Sequence, residues 1–251
     1  RYIAVTGVQT CALPIYLFPP QGTGGAEQVA ARLAKEYQRQ GHAVSVITSV
    51  QNKHAEGQTT DNGLRIRKVY TDYDSRFRAY VGLMNPQILF PVRRLLQQEK
   101  PDVIHAHNVH HYLSYHSLRI AKRLGIPVVL TLHDVMSVTY GKLTDIADPG
   151  DTTSDPAVDY RITTFNTWKR QGLRFFPLRN RLIRYYLQHS VDRTVAVSHA
   201  LADVLQTNGV RCTDVVHNGI RLEDYKQVPS DEVAAFRTRF GLEGKPVVFF
   251  G

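Results

Sequence analysis

Short apolar runs alternate with stretches of helical periodicity along almost the whole chain, and that alternation restricts the fold more than any other feature. Gly22-Thr-Gly-Gly-Ala-Glu27 opens a helix whose apolar positions Val29, Leu33 and Tyr37 recur at helical spacing, closed by Gly41. Ala43–Thr48 reads as a strand, and Leu64–Tyr70 alternates as another. A helical stretch through Ile88, Leu89, Val92, Leu95 and Leu96 ends near Glu99, and Asp102–Ala106 then forms a strand after Pro101. Leu118–Leu124 is a helix stopped by Gly125, and Pro127–Leu132 is a buried strand. Further strands are expected at Arg193–Val197 and Thr213–Val216, with a helix capped by Ser198 between them. Strands separated by helices pair in parallel through right-handed crossovers, which predicts an α/β domain with a doubly wound, mostly parallel sheet.

Ligands of such sheets sit beyond the carboxyl ends of the strands. The candidate positions are therefore the glycine run at 22–25, His105-Ala-His-Asn108, His133-Asp134, Ser198-His199 and His217-Asn-Gly219. The 251 residues are 43% hydrophobic and 21% charged, which excludes a disordered, collagen-like or disulfide-stapled chain. Lysine and arginine exceed aspartate and glutamate by 31 to 22, a net +9 that favours anionic partners: nucleic acid, anionic lipid or phosphorylated small molecules. No apolar run approaches the ~20 residues that span a bilayer. Cys11 and Cys212 supply neither a metal pair nor a disulfide framework, so a reducing cytosol is expected.

Both ends carry unusual sequence. The chain starts without methionine and stops at Lys245-Pro-Val-Val-Phe-Phe-Gly251, which reads as a buried strand broken at its first glycine turn. Val5–Ile15 resembles the translation of a widely used sequencing-library adapter, so residues 1–15 are expected to be an artefactual segment in place of a native first strand. Gly141 to about Thr163 is polar and turn-rich, and reads as a loop or insertion. No internal repeat or low-complexity tract is present.

The glycine run is not a dinucleotide fingerprint, because G-x-G-x-x-G would need glycine where Glu27 stands. Gly24-Gly25 before a helix instead suits close approach of a phosphate, or a plain tight turn. His105, His107, His110, His111 and His116 form a cluster. The first two are expected to follow a strand and alternate faces, with no nearby Cys or Glu to complete a metal set, so local hydrogen bonding or pocket lining is expected. In His133-Asp134 a carboxylate beside an imidazole suits a reactive pair, or Asp134 simply caps a loop. Trp168 to Tyr186 interleaves aromatics with Arg170, Arg174, Arg179, Arg181 and Arg184. That composition suits an anionic membrane surface, nucleic acid, or an amphipathic helix packing through Leu182, Ile183 and Tyr186.

Five pieces in order carry a resemblance: Phe18-Pro-Pro with Gly24-Gly-Ala-Glu27, Lys100-Pro-Asp-Val-Ile-His-Ala-His107, Val128-Val-Leu-Thr-Leu-His-Asp134, Val195-Ala-Val-Ser-His-Ala200 and Val215-Val-His-Asn-Gly-Ile220. Together they resemble the N-terminal domain of glycosyltransferase family 4, with the GT-B fold. The resemblance implies a Rossmann-like domain over 16–227, then over 228–251 a linker and the first strand of a truncated C-terminal domain, the one that holds a family E-x7-E glutamate pair. It implies transfer of a sugar from a nucleotide-sugar donor to an acceptor hydroxyl, usually retaining, without a metal or other cofactor. Gly24 and Gly25 are then expected to offer backbone N–H groups to the diphosphate, and His133 to act catalytically beside the transferred sugar. Glu27, His107, Asn108, Asp134, Ser198, Asn218 and Gly219 are expected to line the cleft, while Lys100 and Asp102 only launch their strand. A sugar or lipid-linked acceptor, a cytoplasmic location reaching the inner membrane face, and no specific nucleic acid complete the expectation. Two alternatives stay open: another GT-B enzyme such as a sugar-nucleotide epimerase, and a non-catalytic phosphosugar- or nucleic-acid-binding module. An E-x7-E pair downstream would favour the transferase.

Overall fold

A computed structural model describes residues 10–139, 160–172, 176–220 and 228–248. Its elements in chain order are β1 (Thr10–Pro14), α1 (Gly25–Arg39), β2 (Ala43–Val50), β3 (Gly57–Asp61), β4 (Leu64–Tyr70), α2 (Arg78–Val81), α3 (Pro86–Glu99), β5 (Val103–His107), α4 (His116–Arg123), β6 (Val128–Leu132), α5 (Thr164–Gln171), α6 (Arg179–Ser190), β7 (Arg193–Ala196), α7 (His199–Thr207), β8 (Asp214–Val215) and α8 (Ser230–Arg239). The strands form one eight-stranded sheet in the order β3-β4-β2-β1-β5-β6-β7-β8. Every pairing is parallel except the β3–β4 hairpin. The expected doubly wound α/β sheet is therefore present.

The hairpin escaped the sequence reading because β3 (Gly-Gln-Thr-Thr-Asp) is exposed throughout and shows no apolar alternation. Its signal is Asn62-Gly63, both at positive φ (48° and 82°), the pair that a two-residue turn between right-twisted strands demands. Beside it, Glu99 at the end of α3 buries its carboxylate between Arg65, at 3.1 Å, and Arg67.

The helices obey local chemistry. Asn85 caps α3 by accepting from Gln87 N–H at 3.1 Å, with Pro86 in the first turn where a missing donor costs nothing. Ser198 caps α7 by accepting from Leu201 N–H at 3.1 Å, as expected. The face of α1 differs from expectation: Val29, Leu33 and Tyr37 are half-buried, while Glu27, Ala30, Ala31 and Ala34 are buried. Three alanines let this helix sit close to the sheet, so small residues rather than large ones mark its inner stripe.

β1 runs through the middle of the sheet, pairing with β2 from Thr10↔Ala43 to Pro14↔Ile47 and with β5 at Cys11↔Val103 and Ala12↔Ile104. Residues 10–15 of the segment read as a replacement thus occupy the first-strand position, and residues 5–9 lie outside the described residues. So does most of the 141–163 stretch.

Trp168–Tyr186 is not one helix but parts of α5 and α6, with Pro177 just before the second. Ile183 is fully buried and Tyr186 half-buried, as the packing reading required, but Leu182 is exposed and does not join them. Arg179 corrects the interfacial reading: it is buried at 4% exposure and donates to the carbonyl of Met136 and, at 3.0 Å, to Asn180 Oδ1. The helix face that carries Ile183 also carries Arg179, four residues earlier, into the core. The side chains of Arg170 and Arg174 lie outside the described residues.

The chain divides into two compact units, Arg1–His217 and Asn218–Gly251. The second contains α8, none of whose residues is buried.

Candidate functional site

β5 and β6 run side by side in register from Ile104↔Val128 to His107↔Thr131, so their carboxyl ends reach the sheet edge together. His105 and His107 lie within β5, not after it. Being two residues apart they share one face, as the period of a strand requires, and this corrects the expectation that they alternate. Their ring centroids are 4.3 Å apart. His105 Nδ1 lies 3.1 Å from the Tyr37 hydroxyl, and its Nε2 lies 2.8 Å from Thr131 Oγ1.

His107 Nδ1 meets His133 Nε2 at 2.9 Å, across the ends of β5 and β6. The next residue, Asn108, has φ 41°, the left-handed region that asparagine tolerates better than most side chains. This turns its amide back over the strand ends. Asn108 Oδ1 accepts from the His133 backbone N–H at 3.3 Å, and Nδ2 donates to Asp134 Oδ2 at 3.1 Å. Asp134 Oδ1 accepts from Met136 N–H at 2.9 Å. Asp134 therefore caps the loop, and the same carboxylate belongs to the site. Four expected residues, His107, Asn108, His133 and Asp134, form a single hydrogen-bonded group.

Burial keeps these imidazoles neutral. His133 is pushed down to about 4 by desolvation, against the opposing pull of Asp134. His105 is lowered to about 4 by burial and then by the neighbouring His133, and burial takes His107 well below its usual value. His110 falls to about 3 through burial and the charges of Arg179 and Arg78.

On the other side of this group lies the glycine turn. Gly24 is the N-cap of α1, and Glu27, buried at 4% exposure, occupies the third helical position. A Cβ on Gly24 would stand 2.4 Å from Glu27 Oε2, and one on Gly22 would stand 2.6 Å from Glu27 Cγ. A side chain at Gly24 would therefore push the buried Glu27 carboxylate out of its place beside Tyr16. Around Gly25 a Cβ would meet nothing within 4 Å. The first intrahelical bond runs from Gln28 N–H to Gly24 O at 3.1 Å, so helix geometry leaves the amides of Gly25, Ala26 and Glu27 without intrahelical acceptors, at the positive end of the helix.

Tyr16 connects the two halves, and the sequence reading passed over it because it borders the excluded segment. Its hydroxyl hydrogen-bonds Glu27, and burial, that bond and the charges of Glu27 and Asp134 push its pKa up. Its ring packs 5.6 Å from His110, whose Nε2 lies 3.9 Å from Asp134. The strand-end alternation that exposed the histidines would have included Tyr16 too.

Ser198 is spent on its helix cap, and no bond joins it to the histidine group among the described residues. Asn218 and Gly219 fall in the second unit. Among the described residues no three of His, Cys, Asp and Glu converge to hold a metal ion.

Residues 23–224 match the model of the family described as Glycosyltransferase Family 4. The chain belongs to that family. No curated protein sequence matches this member of family 4. Among solved structures it is similar to sucrose-phosphate synthase from Thermosynechococcus elongatus, at 13% identity and TM-score 0.60, over 93% of this chain and 53% of that one. It is also similar to Anabaena HepE in complex with UDP-glucose, at 16% identity and TM-score 0.51, over 94% of this chain and 50% of the other. At such identities the likeness is one of fold, here that of the GT-B glycosyltransferases. This family 4 chain spans about half the length of these two solved structures.

The two glycines should respond differently to the same change. Gly24→Ala forces Glu27 aside and should cost about 1–3 kcal/mol. Gly25→Ala, in open space at the first helical position, should leave stability within about 1 kcal/mol of the parent. Urea denaturation of the two variants measures both, and equal losses would contradict the packing of Glu27 against Gly24.

Proposed function

We propose that this chain is the N-terminal half of a retaining glycosyltransferase that moves a sugar from a nucleotide-sugar donor to an acceptor hydroxyl. The observation that carries the reading is a neutral, hydrogen-bonded imidazole, His133, held at the strand ends of a family 4 domain and linked through Asp134, His110, Tyr16 and Glu27 to the helix N-terminus at Gly25. Glycosyl transfer develops positive charge on the sugar ring and negative charge on the departing diphosphate. An imidazolium beside the ring would repel the first; burial holds His133 uncharged, so it can orient the sugar without that penalty. The amides at the start of α1, which have no intrahelical acceptors, and the open space at Gly25 suit the diphosphate. In this reading backbone dipoles, rather than a metal ion, meet the leaving group. The UDP-glucose complex of Anabaena HepE supports a nucleotide sugar as donor.

In the complete enzyme, His133→Ala should lower kcat/KM by about 100-fold or more at a temperature where the variant stays folded, because orientation of the transferred sugar is lost, while leaving His107 Nδ1 unpartnered should cost about 1–3 kcal/mol of stability. Unchanged kcat/KM in the folded variant would make His133 a bystander.

A finer reading places the acceptor on a lipid at an anionic membrane face. Phe165 and Trp168 on α5 are 66% and 57% exposed, and Leu178, Lys169 and Arg181 are exposed nearby in sequence. Among the described residues no helix is long and apolar enough to cross a membrane, so the contact would be peripheral. Each exposed basic residue would contribute about 1 kcal/mol near an anionic leaflet. Co-sedimentation with phosphatidylserine vesicles should fall in a Phe165→Ser, Trp168→Ser variant and in high salt. Equal pelleting of variant and parent would favour a water-soluble sugar acceptor.

A further inference from the structure

His107 closes β5 with no exposed surface, and its two nitrogens have opposite fates. Nδ1 faces His133 Nε2 at 2.9 Å, while Nε2 is buried without a hydrogen-bond partner among the described residues. The adjacent His105 cannot relieve it, since both of its own nitrogens are engaged by the hydroxyls of Tyr37 and Thr131. Burial keeps His107 and His133 neutral, so each ring carries one N–H and one lone pair, and one proton lies between the facing nitrogens. Two arrangements satisfy that bond. If His133 donates, the proton of His107 moves to Nε2 and becomes a buried N–H with no acceptor, a rare and costly state. If His107 donates, its buried Nε2 keeps only an unpaired lone pair.

We propose that His107 is a positioning residue that donates its Nδ1–H to His133 Nε2 and so locks His133 in the Nδ1–H tautomer. The backbone N–H of His133 is fixed separately by Asn108 Oδ1, so the residue is held at both main chain and ring. His133 then offers a ligand a hydrogen-bond donor, not a base. The group it recognises is an oxygen lone pair, on a sugar hydroxyl or a phosphate. The sugar role rests on the transferase reading above; the tautomer does not.

The test is a long-range 1H–15N correlation spectrum of the histidine-labelled chain at neutral pH, with His133 assigned by its loss in His133→Gln. His133 should show a protonated Nδ1 and an unprotonated Nε2. His107→Phe, which removes the donor, should leave His133 as a mixture of tautomers. His107→Asn, whose amide stands where Nδ1 stood, should restore the Nδ1–H form. Protonation of His133 on Nε2 in the unaltered chain would overturn the proposal, and that spectrum decides even where the Phe variant fails to fold. A pure Nδ1–H form in a folded His107→Phe variant would overturn it as well. In the complete enzyme, His107→Phe should lower kcat by about tenfold and His107→Asn should recover most of it. A kcat unchanged by His107→Phe, with the tautomer lost, would remove the sugar role while leaving the tautomer assignment in place.

Discussion

The site rests on what a parallel sheet does with the polar groups at its edge. β5 and β6 stop together, and the side chains at their ends are buried against a hydrophobic core that packs along both strands. A buried polar atom left without a partner costs about 1–3 kcal/mol. The sequence here meets that demand within the edge itself: His107 with His133, Asn108 with both His133 and Asp134, Asp134 with Met136. These bonds span the two strands and the loop that follows β6. The geometry that satisfies burial is therefore the geometry that presents His133.

Electrostatics divides the same edge into two parts. Burial lowers the pKa of all of these imidazoles, and the charges of Arg179 and Arg78 lower that of His110 further, in keeping with the net +9 of the chain. Arg179 acts on His110 from inside the fold, although its sequence neighbours suggested a surface role. The start of α1 carries the opposite character, amides without intrahelical acceptors at the positive end of a helix. One part carries no charge that would repel a cation, and the other attracts an anion. Glu27 and Tyr16 sit between them and fix their spacing through packing and one hydrogen bond.

Most of the fold could be read from the sequence because parallel strands are apolar and their helices are periodic. β3 could not, since an exposed edge strand needs no apolar face. The buried stripe of α1 was misplaced because alanine, the smallest apolar side chain, marks a close approach that a search for large residues misses. At the site, the strand-end rule found His107, Asn108, His133 and Asp134 individually. It gave no bond between His107 and His133, which depends on the β5–β6 register, and the mistaken alternation of His105 and His107 hid their shared face. Tyr16, just beyond β1, meets the same strand-end rule and was passed over only because it borders the segment set aside as an artefact; its bond to Glu27 and contact with His110 come from the fold.

The most direct measurement is a crystal structure of the complete protein with a UDP-sugar bound. The account predicts a diphosphate oxygen within hydrogen-bond distance of the Gly25 backbone N–H and the sugar ring against His133, with the His107–His133 contact unchanged. A nucleotide sugar bound away from both Gly25 and His133 would contradict it.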